Sequence, residues 1–324
     1  MPFQRDNSPL RTPTRAPSYK LYLLLLLAPS LLLHGAMVLL IRSDFFLAYC
    51  ANPFLRCLDY SYALRHVDCE VVIYGDSSAK TGINPLIVEN TTGLRTCNLA
   101  QTAATLRILR TAPYDEYLAH NRPPKYVVVA FNNRTLGRHN GAYDEWFQAN
   151  SQEVIVQVVR HHLTPQRALD LASHPFLTIT HLSVFGLLRL PGDTSAPEST
   201  VQVMMTNFYA THGLLTLPHK PLAECPAPSQ FVPATRPDAA WLADMLRRLT
   251  PPGGKILAFV TPVAICDHSW EPFKGDYRAL FGRDVERYDI GLFNDANHYT
   301  AEGAARFSQT VGSEVAADLR KSRT

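Results

Sequence analysis

Short apolar runs alternate along this chain with longer stretches of helical spacing. Val71-Val72-Ile73-Tyr74 is a mostly β-branched run closed by Gly75, which predicts a short buried strand and then a sharp turn. A second strand is expected over Gly93 to Leu99. Tyr126-Val127-Val128-Val129-Ala130-Phe131 is apolar throughout, as a central parallel strand covered on both faces must be. Lys255 to Pro262 gives a fourth strand and Glu286 to Ile290 a short fifth. Leu106, Leu109, Tyr114 and Leu118 fall at helical spacing within Thr102 to His120. Further helices are expected over residues 153–163, 165–171, 238–249 and 301–319. Strands alternating with helices imply right-handed crossovers. The expected fold is therefore α/β: a three-layer α/β/α sandwich around a mostly parallel five-stranded sheet.

Two regions depart from this rhythm. Leu21 to Ile41 is a run of about 21 residues without a charge, marked only by Pro29, His34 and Gly35. That length spans a bilayer core as a helix. Residues 1–20 are polar, proline-rich and basic, with Arg5, Arg11, Arg15 and Lys20, and are expected to be disordered. The positive charges precede the span and only Arg42 closely follows it. The positive-inside rule then leaves a cytoplasmic tail (1–20), a single-pass inner-membrane anchor (21–41) and the rest outside the membrane, in the periplasm. No small-x-small cleavage site follows Ile41, so the segment reads as a retained anchor and not a signal peptide. Residues 42–67 are aromatic-rich and read as a helical, membrane-proximal neck. The extracytoplasmic domain is expected over 68–324, with a helical and loop insertion at about 136–240. Within the insertion, Phe176 to Leu190 is apolar but short for a second span; a core helix is the favoured reading, against a surface helix resting on lipid or on a membrane partner. Residues 191–237 are proline-rich and read mostly as loop, a lid or a wall over the sheet.

Composition excludes some functions. With 324 residues, 46% hydrophobic and a net charge of +3, the chain is ordinary globular material. No Lys/Arg stripe interleaved with aromatics marks a nucleic-acid footprint. No His/Cys/Asp spacing resembles a zinc or two-metal site, and no cofactor is expected. All six cysteines follow the apolar span, and an even count permits disulfides in an oxidising compartment. Cys50–Cys57 and Cys225–Cys266 are the favoured pairs, against the alternative of buried free thiols.

The candidate chemistry lies at two remote places. Ser77 follows Gly75-Asp76 just past the end of the first strand, where open α/β sheets place their ligands. Chance supplies a Gly-Asp-Ser tripeptide in roughly one chain in ten of this length, so a second signal is needed. Asp295-Ala296-Asn297-His298 supplies it, directly before a helical run opening at Tyr299-Thr300-Ala301. A carboxylate three residues ahead of a histidine can turn back and hold the imidazole. Ser77, His298 and Asp295 would then be nucleophile, base and orienter.

Gly75-Asp76-Ser77 early in the domain and Asp295-x-x-His298 near its end resemble the first and last blocks of the SGNH (GDSL-type) hydrolases. The continuation Lys80-Thr81-Gly82-Ile83-Asn84-Pro85 is similar to the family's membrane-anchored members, which include the alginate O-acetylation proteins and the D-alanyl-lipoteichoic acid transfer protein. The resemblance covers roughly residues 68–135 and 240–320. It implies an SGNH, flavodoxin-like sheet and an oxyanion hole with three donors: the Ser77 amide, a glycine amide after the second strand and an asparagine side chain after the third. Here the second strand is followed by Ala100-Gln101-Thr102-Ala103-Ala104, without glycine, so the Ala103 amide is the candidate. The third is followed by Asn132-Asn133, and either could donate. The implied function is a serine esterase or O-acyltransferase that modifies a cell-surface polysaccharide, with a membrane-embedded acyl donor protein as partner. Two alternatives stand beside it: a lipid-directed esterase at the membrane surface, and a catalytically degenerate membrane-anchored scaffold.

Overall fold

The computed structural model describes residues 19–49, 53–137, 152–173, 198–218, 220–226 and 236–322. The basic tail, Cys50 and the apolar stretch from Phe176 to Leu190 lie outside the described residues. In chain order the elements are α1 (Tyr19–Arg42), α2 (Asp44–Tyr49), α3 (Pro53–Ala63), β1 (Val71–Gly75), α4 (Ser77–Gly82), α5 (Pro85–Thr92) and β2 (Thr96–Asn98). Then follow α6 (Ala103–Leu109), α7 (Ala112–His120), β3 (Tyr126–Phe131), α8 (Gln152–His161), α9 (Pro165–Ser173) and α10 (Glu198–Ala210). The last are α11 (Ala239–Leu249), β4 (Lys255–Val260), β5 (Val263–Ala264), α12 (Lys274–Phe281), β6 (Arg287–Tyr288) and α13 (Ala301–Lys321).

β1 to β4 form one parallel sheet in the order β2-β1-β3-β4. Successive side chains of a strand point to opposite faces. Val72, Tyr74, Val127, Val129 and Phe131 therefore enter one core, with α3, α6, α7, α10, α11 and α12 over them. Val71, Ile73, Tyr126, Val128 and Ala130 enter the other, beneath α4, α5 and α13. Apolar residues on both faces are what make the strands read as unbroken runs. The chain passes from β1 to β2 on one side and then crosses back to place β3 on the other side of β1, so the order reverses between β1 and β3. Such a switch opens a crevice at the carboxyl ends of the strands.

Several expectations need correction. Among the described residues the sheet has four strands, not five. β4 stops before Pro262, which has no amide hydrogen for a ladder, and the expected fifth strand survives as the two residues of β6. These pair with β5 in a separate parallel ribbon. The helix expected over Thr102 to His120 is two, α6 and α7, broken at Arg110, whose φ is +51°. The loop expected over 191–237 contains α10, which buries Met204, Met205 and Phe208 against the sheet. Cys57 is a free thiol buried in the core, so it is not half of a pair with Cys50. The disulfides are Cys225–Cys266, as expected, and Cys69–Cys97, which was not.

The neck belongs to the body of the fold. α3 buries Leu58, Tyr60 and Tyr62. Met37, Ile41 and Phe46 from α1 and α2 join α8 in a third apolar cluster. Arg160 ties these parts together. Its guanidinium grips Asp59 at 3.0 and 3.1 Å and donates to the carbonyls of Ile41 (2.8 Å) and Ser43 (3.1 Å). Further along α1, Leu25, Leu31, Leu32 and Leu39 are exposed. Among the described residues, no helix is long and apolar enough to cross a membrane, so the expected anchor is not found there.

Candidate active site

The site begins with a close approach. At Gly75 the last residue of β1 lies against Ala130 of β3, and a Cβ there would collide with the Ala130 carbonyl oxygen. Glycine alone lets the chain leave the sheet here. Asp76 then caps α4 by accepting the Ser78 amide at 3.0 Å. Ser77 is the first residue of that helix, so its own amide has no acceptor within it.

The histidine loop is closed as tightly. Phe293 and Tyr299 form an antiparallel bridge, and the Asn294 amide donates to the His298 carbonyl at 2.8 Å. The Asn294 side chain adds a bond to the Tyr299 carbonyl at 2.9 Å. Gly303, in the first turn of α13, lies where any Cβ would strike the Leu292 carbonyl. The loop therefore packs flush against the helix that follows it.

These constraints bring the three remote residues together. His298 Nε2 lies 3.0 Å from Ser77 Oγ, and His298 Nδ1 lies 2.7 Å from Asp295 Oδ2. The other Asp295 oxygen accepts the amides of Asn297 at 2.8 Å and His298 at 3.0 Å. A carboxylate against Nδ1 places the proton on that nitrogen, which leaves Nε2 to accept from the serine hydroxyl. Burial pushes the Asp295 carboxyl up, but the bond and charge of His298 and the two amides outweigh it and hold the group below the usual carboxylate range.

The expected oxyanion donors divide. Asn132 stands beside the triad loop: its Nδ2 donates to Asn297 Oδ1 at 3.3 Å, and its Oδ1 accepts the Arg134 amide at 2.9 Å. Asn133 is turned into the protein. It is fully buried, its side-chain oxygen and nitrogen have no hydrogen-bond partner among the described residues, and its carbonyl accepts from the Tyr277 hydroxyl at 2.9 Å. Ala103 opens α6 behind the cap residue Thr102. The Gln101 amide donates to the Gly75 carbonyl at 2.8 Å, which carries the pairing beside β1 up to the serine turn and starts α6 next to it.

Two neighbours were not anticipated. Asn297 was legible only as a spacer between Asp295 and His298, yet it bonds to Asn132. Arg134 lies close enough for Asp267 and Asp295 to act on its charge, while burial lowers its pKa. His161 and His162 are occupied elsewhere, with Asp59 and Tyr62 respectively. Among the described residues, no group of three or more His, Cys, Asp or Glu could hold a metal ion. The arrangement can withdraw a proton from one hydroxyl at the rim of the sheet and keep the resulting charge balanced. Set against known proteins, the chain matches no family model and no curated protein.

Proposed function

We propose that this chain is a serine acyl-ester hydrolase or O-acyltransferase of the SGNH type. One observation carries the reading: the continuous relay Ser77–His298–Asp295, at 3.0 and 2.7 Å, formed by segments over two hundred residues apart. In this mechanism Ser77 Oγ attacks the acyl carbonyl carbon as its proton passes to His298 Nε2. Asp295 stabilises the imidazolium. The amides of Ser77 and Ala103 and the Asn132 side chain receive the developing oxyanion. Collapse breaks the ester bond, and His298 returns its proton to the departing oxygen. A second hydroxyl, from water or from a sugar, then attacks the acyl-enzyme by the same steps in reverse. Water gives a hydrolase and a sugar gives a transferase. The strand order and the position of the site at the carboxyl ends support a flavodoxin-like reading of the sheet.

The proposed setting is the outer face of the inner membrane. It rests on the uncharged run from Leu21 to Ile41 and on the basic residues ahead of it. A cell-surface polysaccharide is the proposed acyl acceptor or substrate, and a membrane-embedded acyl donor protein the proposed partner. Labelling of the full chain by a fluorophosphonate probe tests the chemistry. Wild type takes the label and Ser77→Ala falls to background. An unlabelled wild type would favour the scaffold instead.

A further inference from the structure

A buried polar network lies directly under the relay. Asp76 is 1% exposed, and both of its oxygens accept hydrogen bonds. One takes the amide and the hydroxyl of Ser78, at the start of α4. The other takes the backbone amide of Asn132, at the end of β3, at 2.8 Å. The Ser78 hydroxyl also meets Thr261 Oγ1 at 3.1 Å, at the end of β4. Thr261 is followed by Pro262, whose carbonyl accepts from the Tyr299 hydroxyl at 2.5 Å. Tyr299 adjoins His298. The Ser78, Thr261 and Tyr299 side chains are as buried as Asp76. One carboxylate thus joins the serine turn to the segment bearing the amide donor, and the Ser78–Thr261 contact with the Pro262 carbonyl extends it to the histidine loop.

We propose that Asp76 is the positioning residue of this site, holding Ser77 and Asn132 in mutual register. The inference rests on the hydrolase reading for its consequence, but not for its geometry. Both backbone partners of Asp76 are obligate donors. A carboxylate satisfies both. An asparagine of the same size cannot, because one of its two positions becomes NH₂ and faces an N–H. Either the Ser78 amide or the Asn132 amide then loses its acceptor in a buried place. The serine and the amide donor move apart by tenths of an ångström, which acyl transfer reads as rate and not as binding.

Asp76→Asn is the test, made on the full chain and read in two ways. With a fluorophosphonate probe, kinact is expected to fall about 10- to 100-fold, a large part of the loss from removing one oxyanion donor, while KI stays within about twofold of wild type. Leu249→Ala, far from the site in the opposite core, should lower the unfolding midpoint yet keep the wild-type kinact. That separates positioning from lost stability. In proton NMR, the downfield Nδ1–H signal of His298 should shift or broaden in Asp76→Asn and not in Leu249→Ala. If Asp76→Asn does not fold, Ser78→Ala replaces it, with a severalfold fall in kinact expected. An unchanged kinact together with an unchanged His298 signal overturns the inference and leaves the hydrolase reading intact. If the wild type takes no label, the hydrolase reading fails, and the NMR signal alone decides whether Asp76 sets the geometry.

Discussion

Asp295 is pulled two ways. Its burial favours the neutral acid, and His298 with the two loop amides favours the carboxylate and wins. In His298→Ala the largest opposing influence disappears while the burial remains. The Asp295 pKa should then rise, and a carboxyl-carbon NMR titration would show its midpoint move to higher pH. A midpoint that stayed in place would mean that the amides alone hold the charge. Asn132 and Asn133 show how far single residues can be read without coordinates. Two adjacent asparagines in sequence are equivalent as donors. What separates them is the alternation of the strand that precedes them, which sends one to the rim and the other into the core. Asp76 was legible as a turn residue, and its second oxygen was not, because Asn132 comes from a distant strand.

At the scale of elements, α4 is the most heavily used. Its first residue is the proposed nucleophile, Ala79 packs into one core, and Lys80 enters the other. The Lys80 ammonium is 1% exposed, 3.4 Å from the Cys57 carbonyl and 5.2 Å from the centre of the Phe208 ring. Burial lowers its pKa from 10.5 to about 8. The unfolded chain keeps its proton to higher pH than the native one. Stability associated with Lys80 is thus complete above about 10.5, is lost as pH falls to about 8, and stays lost below. The gap between those values is worth roughly 2–4 kcal/mol. Lys80→Met, similar in volume and without charge, should therefore be more stable than wild type at pH 7. Chemical denaturation at pH 7 and pH 10 would show the advantage shrink at the higher pH. The strands at 71–74 and 126–131 were legible because burial on both faces leaves an unbroken apolar run. α10 was hidden by the prolines on either side of it. The break between α6 and α7 falls on Arg110, in a positive-φ conformation that this residue type does not advertise.

In the molecule as a whole, a disulfide and the proposed chemistry occupy opposite ends of one sheet. Cys69 precedes β1 and Cys97 pairs beside Val72, so their disulfide closes the amino end, while Ser77 and His298 meet at the carboxyl end. The bridge spans 28 positions of sequence, a loop whose closure is worth about 3.5 kcal/mol. The double variant Cys69→Ser, Cys97→Ser should melt earlier in a thermal scan while its labelling rate at 25 °C stays at the wild-type value. A parallel loss of labelling would show that the two ends are coupled. The pairing was beyond sequence reasoning because it depends on which strands become neighbours, and β2 lies beside β1 only in the folded sheet. The seating of the neck on α8 through Arg160 was equally hidden. The histidine loop carries a last implication. His298 and Asp295, the proposed base and orienter, travel as one cassette, three positions apart and stitched shut by their own backbone. A catalytic trio would ordinarily demand that three independent pieces arrive together. This chain has a single seam to close, between that cassette and one serine.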